Sequence, residues 1–91
     1  MADTPSLDSL IDYPCDFPVK VMGKAHPDFA NTMTRIIQEH DTAFDPSTVQ
    51  MRASTGGKYV SLTFTILAVS RKQLDALYHD LSQHPMVSMV L

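Results

Sequence analysis

The feature that most constrains this chain is the ten-residue run Tyr59 to Ala68, where Val60, Leu62, Phe64 and Ile66 alternate with Ser61, Thr63 and Thr65. A period of two sends the first set to one side of a strand and the second set to the other, so the run predicts a strand with one covered and one open face. It is long enough to be central in its sheet, and the covered face requires a second layer. Just before it, Val49, Met51 and Ala53 alternate with Gln50, Arg52 and Ser54, and Thr55-Gly56-Gly57-Lys58 has the composition of a turn joining the two runs as a hairpin.

The rest of the chain supplies the other elements. From Asp16 to Gly23, Phe17, Val19 and Val21 alternate with Pro18, Lys20 and Met22, which predicts a half-buried first strand. Pro27 at a first helical position and Asp28 in a first turn open a helix whose stripe is Phe29, Met33, Ile36, Ile37 and His40, and the run before Pro46 breaks it. Ser70 and Gln73 form a capping box for a second helix with Leu74, Leu77, Tyr78 and Leu81 on one face. His84-Pro85 closes that helix, and the apolar segment Met86 to Leu91 reads as a last strand. Strand, helix, strand, strand, helix, strand is the βαββαβ order of the ferredoxin-like α+β sandwich, a four-stranded antiparallel sheet with two helices on one face and strands one and three central.

At 91 residues the chain has room for one small domain, assigned to residues 15–91, and not for a catalytic domain joined to a cofactor domain. Residues 1–16 carry Asp3, Asp8, Asp12 and Asp16 with no basic residue, and residues 1–14 read as a flexible acidic arm whose first eleven residues are removable with little loss of stability. The remaining seven basic and six acidic residues leave residues 17–91 at +1, and the whole chain at −3, which argues against a nucleic-acid partner held by phosphate neutralisation. The single Cys15 fits a reducing compartment, and the chain shows neither a signal peptide nor a long apolar run, so a cytoplasmic protein without membrane attachment is expected.

No constellation of residues announces a reaction. His26, His40, His79 and His84 are scattered, and the last two, five apart, do not converge on one helix face, so no metal or other cofactor is expected. Cys15 has no basic neighbour in sequence to activate it. Gly56-Gly57-Lys58 precedes a strand rather than a helix and is read as a turn, not a phosphate loop. The open sheet face is the more informative surface. Alternation gives it Lys20, Met22, Gln50, Arg52, Ser61, Thr63, Thr65 and Ser88 or its neighbours, with no carboxylate among them. Central base-stacking aromatics are missing from it, as Lys20, Met22 and Thr63 hold those places. Lys20, Met22, Arg52 and Thr63 are therefore the candidate contacts for an unidentified protein partner or a small anion, with Met22 as the adaptable apolar element.

Four segments carry a family resemblance: FPVKVMG (Phe17 to Gly23), STGGKYVS (Ser54 to Ser61), the stretch Gln73-Leu74-Asp75 through Leu77-Tyr78 to Leu81, and Met89-Val90-Leu91. From about residue 12 to the end, the chain resembles the YbeD family of small bacterial proteins. It departs from the family at Gly56-Gly57-Lys58, where one glycine is common, and at Ser88, where a basic residue is frequent. The resemblance implies a fold similar to the regulatory ACT domains and no catalytic residue. It also implies a link to lipoate metabolism, through the frequent placement of such genes beside lipoate-attachment enzymes. ACT domains bind small effectors between paired domains near a loop after the first strand; Gly23 and Lys24 occupy that place and become effector-loop candidates, and a homo-oligomer follows as an expectation. The sequence thus reads as a non-enzymatic regulatory or protein-interaction module, with an ACT-like effector-binding domain as the alternative.

Overall fold

The computed structural model describes residues 12–91. In chain order these form β1 (Cys15–Lys24), α1 (Phe29–His40), a 3-10 turn (Pro46–Thr48), β2 (Gln50–Ala53), β3 (Tyr59–Ala68), α2 (Arg71–Gln83) and β4 (Val87–Val90). The sheet has the order β2-β3-β1-β4 with every neighbouring pair antiparallel, so the ferredoxin-like architecture holds and β1 and β3 are central. Residues 1–11 of the expected acidic arm lie outside the described residues, whereas Tyr13 packs against the edge of the core.

Register follows from the two long strands. Val19 lies opposite Phe64 and Val21 opposite Leu62, and all four are fully buried under the helices. Helix α1 buries Phe29, Met33 and Ile37, and α2 buries Leu74, Leu77 and Leu81, each set at the three- and four-residue spacing of one helical stripe. Helix α1 begins at Phe29 with Asp28 as its cap residue, so Pro27 stands just outside the helix that it was expected to open. At the start of α2, the Ser70 hydroxyl accepts from the Gln73 N–H at 3.1 Å, as a cap should. The Gln73 side chain departs from the reciprocal box and binds other backbone: its oxygen accepts from the Val69 N–H, and its amide donates to the carbonyls of His40 and Leu67. One amide thereby ties both helices to the end of β3.

The hairpin turn depends on its glycines, since Gly56 and Gly57 have φ of 88° and 71°, in the left-handed region that side chains disfavour. Strand β2 departs from expectation. Met51 and Ala53 share the parity of the core-facing Leu62 and Val60, yet Met51 is 62% exposed. All four residues of this short edge strand are exposed, so the core-facing side of the sheet is left uncovered there.

Candidate functional site

Cross-strand pairing arranges the open face as a grid. Lys20 lies opposite Thr63, which lies opposite Gln50; one row further along, Met22 lies opposite Ser61, which lies opposite Arg52. Lys20, Gln50, Met51, Arg52, Ser61 and Thr63 line a polar depression of about 410 Å³, and Met22 lies opposite Ser61 in the neighbouring strand. Two strand spacings across and two residues along place the backbones of Lys20 and Arg52 about 12 Å apart, a span that suits an extended partner better than a single phosphate. The four residues singled out in the sequence therefore share one surface.

Further cations join them. Lys24 has the same parity and lies opposite Tyr59, while Lys58 stands in the adjoining turn, whose carbonyl accepts from the Ala25 N–H at 2.9 Å. The ion pairs among the described residues are His40–Asp80 and Arg71–Asp75, both on the helices, so Lys20, Lys24, Arg52 and Lys58 all lack an acidic partner there. The carboxylates of Asp28, Glu39, Asp41, Asp45, Asp75 and Asp80 belong to the helices and the loops beside them. Arg35, Arg71 and Lys72 balance Glu39, Asp75 and Asp80 on the two helices, so the excess of negative charge opposite the basic sheet face comes from the loop residues Asp28, Asp41 and Asp45.

One feature of this face corrects the sequence reading, and a second narrows it. Asp16, opposite Leu67, places a carboxylate at the far end of the face, because β1 begins at Cys15 and Asp16 is already paired within the ladder. Strand β4 contributes Met89, the neighbour of Ser88, opposite Met22. A register shift between Met22 and Gly23 leaves Ser88 as the extra residue, and simple alternation cannot reveal such a bulge.

The effector-loop candidates occupy a different place. Gly23 lies within β1, and a Cβ there would come within 2.3 Å of the Met86 carbonyl oxygen and 2.8 Å of the Phe29 ring. Close packing therefore explains this glycine. Gly23→Ala is expected to destabilise the fold by about 1–3 kcal/mol, as overpacking does, and a urea titration showing no loss would contradict the packing. Beside it, Lys24, Ala25, His26, Pro85 and Met86 line a mostly apolar cleft of about 370 Å³.

The histidines divide by role. His26 Nδ1 accepts from the Asp28 N–H and His84 Nδ1 from the Met86 N–H, both at turns, while His40 Nε2 lies 2.7 Å from Asp80 Oδ2 across the helix pair. Glu39, His40 and Asp80 bring ligand-type atoms within 4.8 Å of one another. Periodicity missed this group because its members come from different helices; Glu39 and Asp80 are exposed, and the His40–Asp80 contact accounts for two of its members. Cys15 is a free, partly buried thiol with no hydrogen bond to a histidine among the described residues. No helix among the described residues is long and apolar enough to cross a membrane.

Comparison with known proteins places this geometry. The chain is 58% identical to a UPF0250 protein of Bordetella parapertussis over the whole of both chains, and 52% identical to one of Ralstonia nicotianae, covering 97% of this chain and 91% of that one. Among solved structures it is similar to protein HP0495 from H. pylori, with a TM-score of 0.75 at 16% identity, covering 100% of this chain and 98% of that one. It is also similar to the ACT domain of a GTP pyrophosphokinase from Chlorobium tepidum, with a TM-score of 0.65 at 20% identity and 84% of each chain covered. These two likenesses concern the fold. A family model described as protein of unknown function (DUF493) matches residues 8–91, and with the UPF0250 relatives it shows that the chain belongs to this YbeD-like bacterial family.

Proposed function

We propose that this protein is a non-catalytic, cytoplasmic regulatory or interaction module whose open sheet face receives an extended acidic segment of a protein partner. The observation that carries the reading is the set of four cations without an acidic partner among the described residues, Lys20, Lys24, Arg52 and Lys58, gathered on and beside the open face of the sheet. Ser61 and Thr63 offer hydroxyls between Lys20 and Arg52, and Met22 and Met89 supply adaptable apolar contact at the margin. The link to lipoate metabolism implied by the family resemblance belongs to this proposal.

The double substitution Lys20→Ala, Arg52→Ala tests it. Both side chains are exposed, so folding stability is expected to stay within about 1 kcal/mol of the parent. Capture from native cytosol identifies the partner, and the double variant is expected to retain far less of it, with the difference shrinking at high salt as screening removes the contribution of the charges. Equal retention by parent and variant would sink the open-face reading.

The cleft beside Gly23 and the likeness to an ACT domain favour a second reading, a small-molecule effector site lined by Lys24 and His26. A ligand of this kind would raise the melting temperature of the parent protein and lose that effect in Lys24→Ala.

A further inference from the structure

Glu39, His40 and Asp80 stand apart from both the sheet face and the cleft beside Gly23. Glu39 and His40 end α1, Asp80 lies in α2, and one ligand-type atom from each falls within 4.8 Å of the others. The 2.7 Å hydrogen bond between His40 Nε2 and Asp80 Oδ2 accounts for two of the three. It leaves Glu39 unexplained. Among the described residues the Glu39 carboxylate makes no hydrogen bond and no ion pair, although Arg35 stands four residues earlier on the same helix. It lies instead near a second carboxylate, in the last turn of a helix, where the aligned backbone carbonyls already favour positive charge. One imidazole thus faces two carboxylates and a helix C-terminus, an excess of negative charge that a bound cation would balance. The donors are also held in place. Gln73 of α2 donates from Nε2 to the His40 carbonyl at 2.9 Å, and Asp41 Oδ2 accepts from the Leu67 N–H at 3.0 Å, so the end of α1 is fixed against α2 and β3. Asp80 precedes the fully buried Leu81, and the His40 side chain is only 16% exposed.

We propose that Glu39, His40 and Asp80 bind one divalent ion of the zinc class, which clips the end of α1 to α2. An imidazole nitrogen with two carboxylate oxygens suits Zn²⁺, whereas Mg²⁺ and Ca²⁺ prefer oxygen ligands alone. Bonds of about 2.1 Å in a tetrahedron set ligand atoms about 3.4 Å apart, so His40 and Asp80 open by about 0.7 Å from their 2.7 Å contact and Glu39 closes by no more than about 1.4 Å. Side-chain rotation supplies both movements while the backbone stays where Gln73 and Asp41 hold it. Coordination uses the Nε2 lone pair, so the proton shared by Nε2 and Oδ2 passes to Nδ1 or to solvent as the ion enters. Three protein ligands leave a fourth position for water, the composition of an exchangeable site.

Calorimetric titration of the metal-stripped full chain with zinc chloride tests the site, with the histidine ring signals followed by nuclear magnetic resonance. The parent is expected to bind one ion per chain saturably, to melt at a higher temperature once loaded, and to shift the ring signals of His40 while those of His26, His79 and His84 stay in place. Glu39→Gln alters an exposed carboxylate without a partner of its own, so its melting temperature without zinc is expected to match the parent's, while its zinc affinity falls at least about tenfold. His79→Ala is the control, because His79 and Asp75, one turn apart on α2, form the rival ligand pair, and this variant is expected to bind zinc as the parent does. Magnesium chloride at the same concentration is expected to leave the His40 ring signals unmoved. Absence of saturable zinc binding, an affinity that Glu39→Gln does not change, or binding lost in His79→Ala would each overturn the proposal.

Discussion

Phe64→Ala is expected to cost about 3–5 kcal/mol of folding free energy, a large share of the stability of a domain this small. Phe64 sits at the middle of β3, fully buried, opposite Val19 and with its ring 5.7 Å from that of Phe44. Removing the ring leaves a cavity between sheet and helices that rigid neighbours on three sides cannot fill. Its sequence neighbour Thr63 points to the open face, and Thr63→Ala is expected to cost far less. A denaturant titration distinguishes the two, and equal losses would mean that the faces of β3 are reversed.

Deleting residues 87–91 is expected to do more and abolish the cooperative unfolding transition. Strand β4 covers one side of the central β1, with Val90 opposite Val21, Met89 opposite Met22 and the Leu91 backbone bonded in both directions to Lys20. Without it the central strand β1 becomes an exposed edge, and the partly buried Tyr78 loses the Leu91 carbonyl to which its hydroxyl donates at 3.3 Å. Near-ultraviolet circular dichroism and a thermal melt measure this directly. A soluble deletion variant that melts in one sharp step would contradict the account of β4 as an integral strand.

The parts of the structure that were legible in the sequence are those that a strict period can encode. Val60 to Ile66 alternate on a strand paired on both sides and covered by helices, so period and burial coincide. At Met51 the period still reports the side of the sheet, but whether a helix lies above that side depends on helix placement, which residue spacing does not contain. Ser88 and Met89 show why the reading of β4 left neighbours open: a bulge adds one residue, and every inference of side beyond it shifts by one. Gly23 invited a functional explanation because a glycine after a strand fits a binding loop, whereas the approach of Met86 and Phe29 is a tertiary fact. The cationic cluster was half legible. Lys20 and Arg52 follow from alternation, but the addition of Lys24 and Lys58 depends on how the hairpin end meets the end of β1.

The central claim is that the bare sheet face is a recognition surface for acidic chain. Titration of the isotopically labelled protein with a hexaglutamate peptide, followed residue by residue through backbone amide shifts, tests it most directly. The account predicts saturable shifts centred on Lys20, Met22, Arg52, Ser61 and Thr63 that weaken with added salt and vanish in the Lys20→Ala, Arg52→Ala variant. Shifts confined to α1 and α2, or unaltered by the double substitution, would contradict it.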